Sequence, residues 1–243
     1  MRYEREQERR EGVRRERVRR KRRRRRRIRL FVRIVFRTIL LMALAVTALW
    51  IGKQLNGTDL ISNVMNIFDP GKRVEEKPYM EEIYLTPNPY SRPGDKLGRV
   101  KNVFVHYTAN PRTSALQNRS YFENLKDTEE RSASAHFIIG YEGEIVQCIP
   151  LEEKAYAVVG RNEDSISIEC CYVDEDGRFT EETYQSLIRL LAWLLGEYHL
   201  DEDDILRHYD CGGKLCPLYY VNHEDEWEQL RRDVADYIEE NGV

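Results

Sequence analysis

Three side chains in this sequence could together hold a metal ion: His106, His208 and Cys216. His106 closes the apolar run Val103-Phe104-Val105, and the other two lie in the segment RHYDCGGKLCP at residues 207–217. Two imidazoles and a thiolate suit zinc, and three protein ligands leave the fourth position for water that a catalytic zinc requires. The spacing does not announce itself, because neither an HExxH nor a paired CxxC is present. On spacing alone the other reading stays open, in which each histidine is an ordinary hydrogen-bonded residue and Cys216 belongs to the core.

Rigid elements must bring such residues together, and from Arg99 onward the pattern is that of an α/β domain. Val103 to Tyr107 reads as a short strand. Ser114 to Leu125 reads as a helix with Thr113 as its N-cap. His136 to Ile139 and Glu144 to Cys148 read as strands joined by a hairpin at Gly140-Tyr141-Glu142-Gly143. Ser165 to Cys170 alternates with the period of a half-buried strand, on which Glu169 could be a solvent-facing residue. Thr180 caps a helix with Glu181 and Glu182 in its first turn. The apolar stripe of that helix is Tyr184, Leu187, Ile188, Leu191, Leu194, Leu195 and Tyr198. Ile205-Leu206-Arg207 leads into His208, and a last amphipathic helix carries Trp227, Leu230, Val234 and Ile238. Alternating strands and helices predict a mixed central sheet flanked by helices.

The formal net charge of −3 conceals a polarised chain of 243 residues. Residues 1–37 hold 19 of the 39 basic side chains and 5 of the 42 acidic ones, and the remainder of the chain is acidic. The block from Arg19 to Arg27 has nothing to bury and repels itself, which argues for disorder or a solvated helix. Ile34 to Ile51 then runs apolar for 18 residues, about 27 Å as a helix and close to the ~30 Å bilayer core. Arg37 can snorkel to the headgroups at one end, and Trp50 suits the interface at the other. With the basic block on one side only, the positive-inside rule keeps the N-terminus in the cytoplasm and exports the residues after Gly52. A cleaved signal peptide would share the charged start and apolar middle, but no clear small-x-small site precedes Lys53. Beside a span, the arginines are read as an orientation signal and a partner for anionic lipid headgroups, so no nucleic acid is expected. The chain then divides into a basic cytoplasmic tail at 1–33, a transmembrane anchor at 34–52, an extracellular stalk at 53–76 and a folded domain at 77–243. Five cysteines, Cys148, Cys170, Cys171, Cys211 and Cys216, show no regular spacing. A domain this long needs no disulfide scaffold.

At FVHYTAN, SASAHFIIGYEGEIVQCIP, SISIECC and RHYDCGGKLCP the chain resembles the N-acetylmuramoyl-L-alanine amidase type 2 family, which extends to the peptidoglycan recognition proteins. The resemblance runs in order from about Tyr79 to Tyr237. It implies that His106, His208 and Cys216 are the zinc ligands. It implies that Lys214 stabilises negative charge in the reaction and that Glu169 is the general base. It also implies peptidoglycan as substrate, cut between muramic acid and the L-alanine of the stem peptide. Retention of Cys216 favours an enzyme, since noncatalytic members typically lack a ligand there; the alternative is an inactive peptidoglycan-binding module on a membrane tether. There are two departures. Ala135 stands where one branch carries a tyrosine, which leaves Glu169 as the base candidate. Ala157 stands where members often carry a histidine, which bears on substrate contacts. His136 is open between a substrate contact and a structural residue, and His199 and His223 are expected at the surface. Tyr107, Tyr209, Tyr219 and Tyr220 could line a groove, with packing the plainer reading for most of them. The resulting expectation is a membrane-anchored enzyme with its catalytic domain outside the cell.

Overall fold

Six segments pair into one sheet, all but the first carrying β-branched or aromatic residues: β1 (Glu81–Glu82), β2 (Asn102–Tyr107), β3 (Phe137–Ile139), β4 (Ile145–Gln147), β5 (Ser165–Cys170) and β6 (Ile205–Arg207). The computed structural model describes residues 72–243 and the single residues Arg37 and Ile39. The strand order is β1-β4-β3-β5-β2-β6. The β3–β4 pair is antiparallel and every other pairing is parallel, so the sheet is mixed as expected. The hairpin closes as the sequence predicts, with the Gly140 N–H donating to Glu144 O at 2.8 Å. Gly143 supplies the positive φ of +86° that the turn needs, and any Cβ there would sit 2.9 Å from the Glu182 carbonyl oxygen.

The two central strands, β2 and β5, are buried along nearly their whole length, because helices cover both faces. Val103, Val105, Ile166 and Ile168 point into a core shared with α2 (Glu181–Tyr198) and α4 (Glu224–Asn241). Alternation turns Phe104 and His106 to the opposite face. There the core is built from Ile138, Val146 and Cys148 with Ala115, Phe122 and Leu125 of α1 (Ala115–Thr128). A short helix, α3 (Leu218–Asn222), comes directly after Cys216-Pro217.

Two helix readings need correction. The N-cap of α1 is Ser114, not Thr113, and the helix extends to Thr128. The Ser114 hydroxyl accepts the Gln117 N–H while the Gln117 side chain accepts the Ser114 N–H, a reciprocal box that a threonine one residue earlier cannot form. Thr113 instead donates to Asn110 O at 2.7 Å. On α2, Thr180 caps as expected, but the buried stripe is wider than the periodicity implies. Leu190, Ala192 and Trp193 are buried as well, because the helix is packed by the sheet, by α4 and by the chain entering at 72–74. That entering segment is tied down: Arg73 exchanges two backbone hydrogen bonds with Val243, and Val74 is buried in the core beside Gly196. Residues 72–74, near the end of the expected stalk, therefore pack onto the folded unit. The basic tail, the expected membrane span at 34–52 and the rest of the stalk lie outside the described residues, apart from Arg37 and Ile39. Among the described residues no helix is long and apolar enough to cross a membrane.

Candidate metal centre

The sheet brings the chemistry together at the carboxyl ends of three neighbouring parallel strands, the edge where open α/β sheets place their sites. His106 is the fifth residue of β2, and its register partner on β5 is Glu169. Both lie on the face that alternation directs away from the α2/α4 core. On the other side of β2, strand β6 ends at Arg207 and delivers His208 into a tight 3-10 turn, His208–Cys211. The chain then reverses through Gly212 (φ +132°) and Gly213 (φ +81°) and returns with Cys216 beneath Tyr209, whose N–H donates to the Cys216 carbonyl at 3.0 Å.

The ligand atoms of His106, His208 and Cys216 all lie within 4.8 Å of one another. The His106 and His208 rings meet edge to face at 4.9 Å, and Cys216 Sγ is 3.6 Å from His106 Nδ1. Three buried polar side-chain atoms here lack any hydrogen-bond partner: His106 Nε2, His208 Nδ1 and Glu169 Oε2. Native structures rarely leave buried polar atoms unpaired, and each such atom costs about 1–3 kcal/mol. Convergent ligand atoms on His106, His208 and Cys216, with an unpaired buried nitrogen on each histidine, fit a cation site. Electrostatics agree with that. Burial holds the His106 imidazole well below its ordinary range, with the charges of His208 and Lys214 adding to the effect. Burial and then Lys214 bring His208 down to about 4. Both rings are thus neutral, the form that ligates metal. Burial pushes the Cys216 thiol up to about 12 and Glu169 adds to this, whereas the Tyr107 backbone N–H bonded to it and Lys214 work in the opposite direction. A divalent cation would supply the charge that converts the thiol to thiolate. The donor set of two imidazoles and one sulfur therefore fits a zinc ion.

Glu169 is only partly exposed, and its Oε2 is turned inward without a partner. Burial raises its carboxyl to about 8, against the pull of Lys214 and Arg131. Lys214 is exposed and makes no ion pair among the described residues, and its charge is felt at His106, His208, Cys216 and Glu169. The three expected ligands thus meet in space, Glu169 is the register neighbour of His106, and Lys214 acts on all four through its charge.

Residues 96–218 match the N-acetylmuramoyl-L-alanine amidase family, about half of the chain and every residue of the centre. The chain belongs to this amidase family. Among its relatives are the N-acetylmuramoyl-L-alanine amidase CwlL of Bacillus licheniformis, 36% identical over 164 residues, and BlyA of Bacillus subtilis strain 168, 33% identical over 172 residues. Each match covers 62% of this chain and 45% of the relative, so the chain spans less than half the length of these proteins. Among solved structures, a mutant endolysin from Bacillus subtilis superposes with a TM-score of 0.55 at 25% identity, covering 65% of this chain and 99% of that one. The catalytic domain of XlyA does so with a TM-score of 0.55 at 24% identity and the same coverage, which shows a shared fold.

The other residues singled out from the sequence of this amidase-family chain separate cleanly. His136 is structural: its Nδ1 accepts the Ser167 N–H at 3.1 Å and its Nε2 donates to the Glu153 carbonyl at 3.0 Å, leaving no lone pair for a ligand. His199 and His223 are exposed, as expected. Tyr107 packs on Tyr172, Tyr219 stacks on His223 at 4.2 Å, and Tyr220 packs on Phe179. Cys211 is not one of the converging groups; it accepts from the Arg161 guanidinium at 3.8 Å. Sequence reasoning passed over three contributors: the Tyr107 N–H to Cys216, the exposed Arg131 whose charge reaches Glu169, and buried Arg207. Only Arg207 left a signal, as a charge within the apolar strand Ile205-Leu206-Arg207.

Proposed function

We propose that this chain is a zinc-dependent N-acetylmuramoyl-L-alanine amidase, which hydrolyses the amide bond between the lactyl group of muramic acid and the L-alanine of the stem peptide in peptidoglycan. The observation that carries the proposal is the convergence of His106, His208 and Cys216, with unpaired buried nitrogens, beside an unpaired buried carboxyl. Family membership and the naming of CwlL and BlyA as such amidases support the choice of bond.

His106, His208 and Cys216 would hold the zinc, which when bound polarises the scissile carbonyl and acidifies a water. Glu169, one strand over from His106, accepts the proton of the attacking water and returns a proton to the departing amine of L-alanine. A carboxyl whose affinity for protons is raised toward neutrality can do both, a contribution of roughly 10²–10⁴-fold. Lys214 has an ammonium uncommitted to any ion pair among the described residues, and it offsets the negative charge that builds on the carbonyl oxygen.

The protein as a whole is read as single-pass: a basic tail at 1–33 in the cytoplasm against anionic headgroups, an anchor at 34–52, a stalk at 53–76 and the amidase domain at 77–243 outside, in reach of the wall. The apolar run and the one-sided arginines support this placement. Protease added to intact protoplasts should remove a C-terminal tag and spare an N-terminal one; the opposite pattern would reverse the topology.

The activity is tested by mass spectrometry of peptidoglycan digested with the full-length chain. Products with free muramic acid and a new L-alanine amino terminus, lost on chelation and restored by zinc, are expected. Intact substrate with a zinc-loaded chain would favour a noncatalytic binding module. A cut elsewhere in the stem would overturn the assigned bond.

A further inference from the structure

The proposed reaction leaves the most deeply buried arginine among the described residues unused. Arg207 has a side chain only 1% exposed, and its register partner on β2 is Val105, next to His106. Ile205 and Val105 belong to the core under α2 and α4, so Arg207 lies on the sheet face opposite the metal centre. Its guanidinium sits 5.2 Å from the Trp227 ring and 5.4 Å from the Tyr209 ring. Stability is a weak reason to place a guanidinium there, since buried ion pairs exchanged for well-packed apolar residues are often neutral or better.

Its hydrogen bonds suggest a different reason. On one side, Arg207 Nη2 and Nε donate to the two oxygens of Asp210 at 3.1 and 3.3 Å, and the Arg207 backbone N–H donates to Asp210 at 3.0 Å. Asp210 lies in the turn that presents His208. On the other side, Nη1 donates to the Tyr220 carbonyl at 2.7 Å and to Glu224 at 3.1 Å. Tyr220 belongs to α3, four residues beyond Cys216, and Glu224 opens α4. One planar fork therefore grips the segment carrying the second histidine and the segment carrying the cysteine, from beneath the sheet. A lysine, with a single ammonium, cannot span the two sides.

We infer that Arg207 is a positioning residue for the metal centre: it fixes the separation of the His208 turn from the Cys216 segment, and so sets metal affinity and ligand geometry. The inference rests on the reading of His106, His208 and Cys216 as metal ligands, and adds a residue that touches neither metal nor substrate.

The test uses the full-length chain and its Arg207→Lys and Asp210→Asn variants. Zinc affinity is read by competition with a chromophoric chelator, cobalt(II) loading by the visible and thiolate charge-transfer bands, and fold by near-ultraviolet circular dichroism. Both variants are expected to stay folded yet bind zinc about 10–100-fold more weakly, the usual effect of disturbing groups that orient ligands. Their cobalt bands should shift. Folded variants with parental zinc affinity and cobalt bands, whatever their stability, would reduce Arg207 to a packing residue. Should Arg207→Lys fail to fold, Asp210→Asn decides alone, because it keeps the buried arginine and loosens its grip on the His208 turn. A parent chain that binds neither ion would overturn the metal reading, and this inference with it.

Discussion

Glu169 combines two properties that are hard to hold together: it is buried enough to bind protons near neutrality, and one oxygen has no partner. Glu169→Gln keeps shape and removes basicity. It is expected to lower the turnover of peptidoglycan by about 10²–10⁴-fold while zinc content stays at the parental level. A variant with near-parental turnover would move proton transfer to another group. Lys214→Ala makes a contrasting case, because in the proposed reaction the exposed ammonium would act on charge and not on protons. A loss of at most about 10²–10³-fold is expected, again with zinc retained; zinc loss in this variant would mean that the lysine shapes the site and does not serve the reaction.

At the scale of elements, helix ends decide how firmly the layers are held. Ser114 satisfies a first-turn donor of α1, which covers the face on which the centre lies, and Ser114→Ala should cost about 1 kcal/mol in urea unfolding. At the far end of α2, His199 is exposed and takes a left-handed φ of 56°, where its Cβ is strained. His199→Gly should relieve that and raise stability by up to about 1 kcal/mol. An unchanged urea midpoint would mean that the histidine gains as much from the negative helix end as it loses to strain.

On the scale of the whole molecule, pH acts through buried imidazoles. Burial lowers His136 to about 4, against the hydrogen bond to the Glu153 carbonyl. Between about 6.5 and 4 the unfolded chain therefore binds a proton that the folded chain refuses, so this residue's share of stability is lost as pH falls through that window and levels off below it. Urea titrations at pH 7 and 4.5 should show the parent losing about 2–3 kcal/mol more than His136→Gln. Parallel losses in the two proteins would show that another group carries the acid sensitivity.

Much of this was legible in the sequence because it is local. Period-2 alternation marks β5, Thr180 with two glutamates after it marks the start of α2, and the glycine-bounded hairpin marks β3 and β4. The family resemblance nominated His106, His208, Cys216, Glu169 and Lys214, while residue spacing alone left each of them an ordinary reading. Only the tertiary structure decided that His106, His208 and Cys216 meet, with Glu169 beside His106. Parallel pairing of β2 with both β5 and β6 sets His106 between Glu169 and His208 across about a hundred residues of chain, and no local periodicity encodes that order. It likewise decided that Glu169 turns one carboxyl oxygen out of solvent and that His136 is committed to hydrogen bonds. It placed Arg207 beneath the centre, because burial and partners belong to the packed layers and not to any one segment.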